Sequence, residues 1–448
     1  MVQSQAAIVA IVVTLTLVAV QLTASSYSPR VTRIFRDNPD MWLLLFVYGL
    51  SISYGLLILK QIPTYGLLSK TLLFRSLESH IISAYSVGGF TFLILFPYMW
   101  NTINLLNPST ILGRLSLKIT KEDLFASEDD PIQPIIDIIH GSIMRYDLET
   151  TRVGLNMMTD HVVALLATEI NPDEDLQAIM NGIRELVCTP LEFAGKLALS
   201  KDDEKSASEV CKNLQKLGVS IVRKMMGLEG AATQAVASLE AVGRAAADKS
   251  LEDTVIHAIM SLEAVGQAAA NKPGQGGQYL LDLESAVEQA AQSLGIVGRA
   301  AADKSLEDAA FHAVESLGAL GQVAADKCFQ VAATRAAMSL EAVGQAVVDK
   351  SLKDAAFRAV ESLRALGYVE DYKGFEAVAT HAARSLGVVG QAAAYKSLIN
   401  VADNAVVSLG IVGQTAADNN NFLAVENAAK SLVYIGQAAA YNLTFCVV

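Results

Sequence analysis

Much is scarce in this 448-residue chain. Its four cysteines, Cys188, Cys211, Cys328 and Cys446, are widely spaced with no CxxC pair, which excludes a disulfide framework and a cysteine-ligated zinc site. Aromatic residues make up 6% and charged residues 18%. The six histidines form no HxxxH or HExxH spacing, and no GxxxxGK[ST], GxSxG or strand-borne GxGxxG occurs, so no cofactor, metal or catalytic constellation is expected and the chain does not read as an enzyme. What is abundant is apolar: 52% of residues are hydrophobic and the mean hydropathy is +0.36, which excludes a disordered chain and asks for membrane spans.

Charge is divided along the chain. Residues 1–121 carry nine Lys or Arg against three Asp or Glu, while residues 122–448 carry 25 against 43. An acidic second part without basic clusters excludes nucleic acid as a partner. In the first part the cations flank three apolar runs, about 6–24, 42–59 and 81–106, each long enough at about 1.5 Å per residue to cross a hydrocarbon core. Arg30, Arg33 and Arg36 sit at helical spacing after the first run and read as a membrane-interface anchor facing lipid phosphates. The positive-inside rule then places their loop, and the part after the third span, in the cytoplasm. Small residues four apart, Gly49 with Ser53, Ser51 with Gly55 and Ala84 with Gly88, permit close helix approach and homo-oligomerisation.

The stretch Val18 to Asp37, with Ala24-Ser-Ser-Tyr-Ser-Pro-Arg30 running into a basic segment that ends in Arg36-Asp37, resembles the prokaryotic membrane-protein family catalogued as domain of unknown function 2254. The resemblance covers residues 6 to about 106. It implies a multi-pass protein of the cytoplasmic membrane and no particular activity.

Three parts are therefore expected: a transmembrane domain over 1–106, a juxtamembrane and helical linker region over 107–227, and a repeat domain over 228–448. In the linker, Leu115, Leu117 and Ile119 alternate with polar residues and predict a short strand or interfacial ribbon. Helices are predicted over 132–146, 148–168, 173–187 and 204–226.

The strongest pattern is Ser-Leu-x-x-(Val/Leu/Ile)-Gly, with its glycine at 243, 266, 298, 321, 344, 367, 390, 413 and 436. Successive glycines are 23 residues apart except for one interval of 32, which holds an insertion around Pro273 to Gly277, and a degenerate unit ends at Gly218. Within a unit, Leu306, Ala310, Ala313, Val314, Leu317, Leu320 and Ala324 fall at three and four spacing, one apolar stripe of a helix. Ser250, Ser305 and Ser351, each three residues before an Asp, predict capping boxes at the helix starts. Leu306 to Leu317 matches Leu352 to Leu363 at a distance of 46, so the full repeat is a two-helix hairpin. An all-α chain follows: N-terminal transmembrane helices, a helical linker, and an α-solenoid of 23-residue single-helix units. Its repeat length and alanine-rich pattern resemble the HEAT and armadillo class, and the motif is also similar to the HEAT-like repeats of phycobilisome lyases, a likeness of architecture alone.

The seventh position of every unit is polar: Gln234, His257, Gln289, His312, Arg335, Arg358, His381, Asn404 and Asn427. A solvated helix face accounts for this; a column that contacts a protein partner is the functional alternative, with His257, His312, Arg335, Arg358, His381 and Asn404 as candidates. A membrane-anchored, protein-binding scaffold is the expected function. The alternative is a subunit of a homo-oligomeric channel or transporter in which the solenoid regulates or assembles the complex.

Overall fold

The computed structural model describes residues 2–26, 39–65, 72–105, 107–117, 119–120, 132–167, 176–224, 229–272, 278–368 and 376–445. Every regular element among them is helical. Contacts divide the chain into two units, residues 1–118 with 131–142, and residues 119–130 with 143–448.

The first unit contains α1 (Val2–Ser26), α2 (Pro39–Tyr65), α3 (Leu72–Leu105), α4 (Pro108–Ser116) and most of α5 (Gln133–Met144). Two stretches, Asp40–Lys60 in α2 and Ser79–Asn104 in α3, are long and apolar enough to cross a membrane. Most of each is exposed, with Phe46, Leu50, Phe90, Leu93 and Trp100 all pointing outward. α1 rests on both through Val12, Leu44, Tyr48 and Tyr98. Two polar contacts join these crossings: Gln5 Nε2 donates to Ser51 Oγ at 2.8 Å, and Thr16 Oγ1 lies 2.7 Å from Tyr98 Oη, while Gln5 Oε1 and Tyr48 Oη are buried without a partner.

The strand or ribbon expected near Leu115 is not formed, and residues 108–116 are the helix α4 instead. Asn107 caps it, its Oδ1 accepting from Ser109 N at 3.1 Å, and Pro108 enters at the first turn. Ile111, Leu112 and Leu115 are then buried at helical spacing, which outweighs a period-two run only three apolar residues long.

The second unit begins its regular structure with α6 (Leu148–Leu166) and α7 (Leu176–Ile183), which passes through one π-helical turn, Arg184–Cys188, into α8 (Thr189–Ser200). From there the chain is a succession of similar helices: α9 (Glu204–Lys224), α10 (Glu229–Asp248), α11 (Glu252–Asn271), α12 (Gln278–Asp303), α13 (Glu307–Asp326), α14 (Gln330–Asp349), α15 (Lys353–Gly367), α16 (Glu376–Tyr395), α17 (Ile399–Asp418) and α18 (Phe422–Phe445). From α8 onward each helix packs against the next and against the next but one. That pattern makes two layers of alternating helices, the α-solenoid.

Among the described residues, the turns between units close by one device. Ser305 N donates to Ala302 O at 2.8 Å and Leu306 N to Ala301 O at 3.0 Å, the paired bonds of a Schellman motif. Ser250, Ser305, Cys328, Ser351, Ser397 and Asn420 all hold left-handed φ values between 57° and 62° at this position. The expected capping boxes are therefore corrected. These serines end the preceding helix, and the N-cap of the next is the following residue, Leu251, Leu306 or Leu352, with no side-chain bond of its own. The first-turn donors are served from two helices back instead: Thr254 N donates to Glu204 Oε1 and Ala309 N to Glu252 Oε1, each at 3.2 Å.

Candidate partner-binding surface

The motif glycines lie inside their helices, apart from Gly367 at the end of α15, and their role is contact. A Cβ on Gly321 would stand 2.9 Å from Ala336 Cβ on the next helix and 2.9 Å from Leu366 Cδ2 on the next but one. The same two neighbours recur at Gly298 with Ala313 and Val343, at Gly344 with Ala359 and Val389, and at Gly390 with Ala405 and Ile435. The residue just before each motif glycine is thus the guest of the glycine two units earlier, and each glycine holds one helix of each layer.

The pattern also exposes a unit that the sequence motif did not reveal. Gly195 in α8 receives Val242, and Gly218 in α9 receives Val265. Pro190 and Asn213 stand where later units have serine, so the motif is degraded there while the packing persists. The signal was the spacing of 23 between Gly195 and Gly218.

A second ladder, equally unannounced, ties alternate helices together. The motif serine donates to the residue two positions after the serine site of the unit two back: Ser293 to Glu240 at 2.8 Å, Ser316 to Glu263 at 2.6 Å, Ser385 to Glu341 at 2.7 Å, and Ser261 to Gln215 at 3.3 Å. Where that residue is glycine, the serine packs directly on it, as Ser339 does on Gly295 and Ser362 on Gly318. Ser408 is the exception. Counting along the repeat its acceptor position is Arg364, a side chain that only donates, and the buried Ser408 Oγ has no partner.

The seventh-position residues form two columns, His257, His312, Arg358 and Asn404 on one set of alternate helices and Gln234, Gln289, Arg335, His381 and Asn427 on the other. All nine are half-buried. Arg335 donates through Nε and Nη2 to Glu288 Oε1 at 3.0 and 2.8 Å, and Arg358 donates through Nη2 to Glu315 Oε1 at 2.9 Å and through Nη1 to Glu361 Oε2 at 3.3 Å. Both arginines thereby bridge to the helix two units back while keeping 37% and 39% of their side chains exposed. His257 Nδ1 lies 2.8 Å from Asp253 O of its own helix, and Asn427 Nδ2 donates to Leu423 O at 2.9 Å. Asn404 Nδ2 is buried and unpartnered, while His312 lies edge-on to Phe311 beside it. The arrangement gives each layer a strip of half-buried polar side chains, in which Asn404 Nδ2 and Arg358 Nε are buried without a partner.

Other reactive groups are scattered. Burial pushes the thiols of Cys188 and Cys211 up to about 12, whereas Cys328 is exposed in its turn. Among the described residues no group of three or more His, Cys, Asp or Glu side chains is arranged to hold a metal ion. Arg30, Arg33 and Arg36, the expected membrane-interface anchor, lie outside the described residues.

No known protein family and no curated protein sequence matches the chain. Among solved structures the chain is similar to a "Circular tandem repeat protein with novel repeat topology and enhanced subunit contact surfaces", at 11% sequence identity and a TM-score of 0.36, over 90% of this chain and 97% of that one.

Proposed function

We propose that the chain is an integral protein of a prokaryotic cytoplasmic membrane, with α1, α2 and α3 as three spans, and that its solenoid is a cytoplasmic scaffold that binds other proteins. The observation that carries the membrane half is the outward-facing apolar surface of α2 and α3, which has no aqueous use and matches lipid. The scaffold half rests on the two polar columns: a solenoid offers long strips for an extended partner segment, and the part-exposed guanidinium groups of Arg335 and Arg358 suit carboxylates and backbone carbonyls. The cations Arg30, Arg33 and Arg36 would then lie at the inner lipid headgroups.

Two measurements test this reading. Alkaline carbonate should leave the full chain in the membrane pellet, and release into the supernatant would refute the spans. Photo-reactive residues placed singly at His312, Arg358, Gln289 and His381 in living cells should cross-link one recurrent protein preferentially from one column. Equal, diffuse labelling from both columns would reduce the seventh position to a solvated face.

A further inference from the structure

The serine ladder fails at one rung. From Ser238 to Ser431 every motif serine meets a carboxylate or amide oxygen, or a glycine, on the helix two units back, except Ser408. Its counterpart on α15 is Arg364, and the fully buried Ser408 Oγ has no acceptor. Further donors gather in the same seam between α15 and α17. Asn404 lies one turn before Ser408 on α17 and its Nδ2 is buried without a partner, as is Nε of Arg358 on α15. The side chain of Arg364 enters no hydrogen bond or ion pair among the described residues. Glu361, which the register of Arg358 on Glu315 sets opposite Asn404, accepts from Arg358 Nη1 at 3.3 Å instead. The donors are present and the acceptor is missing.

We infer that the α15–α17 seam seats a carboxylate from an acidic segment of a partner protein, in the place that a glutamate of the ladder fills in other seams. The inference rests on the scaffold reading above and names the chemistry of one site on that surface. Ser408 Oγ and Asn404 Nδ2 donate to the carboxylate, and Arg364 supplies its countercharge. The chain itself shows that such a group reaches this depth from solvent: Glu240, Glu263 and Glu341 bond their serines while remaining only half-buried. Arg364 is half-buried too, and a long, flexible side chain turns readily onto its ligand. A neutral carbonyl would satisfy Ser408 and leave the arginine unpaired, so the carboxylate is the better match.

Fluorescence anisotropy of the full chain in detergent tests the site, with a fluorescein-labelled octaglutamate peptide set against the matching octaglutamine. The chain's own net charge of −12 repels the acidic peptide, so tighter binding of octaglutamate at equal ionic strength reports specific donors rather than bulk attraction. Arg364→Gln should weaken it by about ten-fold and Ser408→Ala by about three-fold. Arg384→Gln, which removes an exposed arginine of α16 that enters no ion pair among the described residues, should change nothing. Because Arg364→Gln gives Ser408 an acceptor within the chain, its unfolding midpoint should rise while its binding falls, and misfolding cannot imitate that pair of signs. Octaglutamate bound no better than octaglutamine overturns the site. So does a Ser408→Ala chain that binds like wild type, or an equal loss from Arg364→Gln and Arg384→Gln. A recurrent partner in the cross-linking above, beside any of these results, removes the carboxylate site and leaves the scaffold. Diffuse labelling there overturns the scaffold and, with it, the protein origin of the carboxylate.

Discussion

A Cβ placed on Gly298 would stand 2.6 Å from the Cβ of Ala313, closer than two carbons approach in any packed interior. The Cα hydrogen there is what lets α13 and α14 rest together on α12. Gly298→Ala should therefore destabilise the solenoid by about 1–3 kcal/mol through overpacking, despite the better helix propensity of alanine. Gly436→Ala, in open space, should instead stabilise it by up to about 1 kcal/mol. Thermal unfolding of the two variants in the same detergent would separate them by sign, and equal shifts would contradict the notch.

Ser351 turns the chain at φ 62°, a conformation that L-residues adopt at a cost and glycine does not. Ser351→Gly should raise the unfolding midpoint, by an amount worth roughly 0.5–1 kcal/mol after the added flexibility of the unfolded chain is subtracted. A fall would mean that the Ser351 hydroxyl, rather than its backbone, serves the turn.

Arg364→Gln should stabilise the protein by about 0.5–1.5 kcal/mol, since it supplies the acceptor that Ser408 lacks, as Gln215 does for Ser261. The gain should vanish in a Ser408→Ala background. A double-mutant cycle showing no coupling would place Ser408 out of reach of that position.

The buried thiols set a pH dependence. Unfolded Cys188 and Cys211 ionise near 9, while the folded thiols keep their protons to about 12, so the unfolded state releases protons first. Stability that is complete below pH 9 should fall as the pH rises toward 12, and less so in a Cys188→Ala, Cys211→Ala double variant. At neutral pH, a Cys446→Ser chain should react with maleimide at Cys328 and stay inert at the two buried positions until unfolded.

Replacing Arg335 and Arg358 together by Gln should cost at most about 1 kcal/mol per site, because both arginine side chains are more than a third exposed and their charges screened. Capture of the partner identified by cross-linking should fall several-fold. Capture equal to wild type would confine the two arginines to bridging their neighbouring helices.

The architecture was legible because its constraint repeats. A glycine must recur wherever one helix receives two others, and that requirement writes a 23-residue period which composition cannot imitate. The unit at α8 escaped because only its packing is kept: Pro190 erased the serine while Gly195 stayed, whereas the degenerate unit at α9 remained visible through Gly218. The capping boxes were misread for a local reason. In so short a turn the residue that ends one helix directly precedes the one that begins the next, and a serine suits either place until its φ is known.

Local pattern alone thus determined that the chain is helical, that its first part is apolar enough for lipid, and that helical units recur every 23 residues, since periodicity and hydropathy act within one or two helical turns. The partners of Arg335, the serine-to-glutamate ladder and the Val, Leu or Ile that each interior motif glycine receives were decided only by the tertiary structure. Each joins residues on helices two units apart. A side chain's sequence neighbours say nothing about that distance; the stacking of whole helices does.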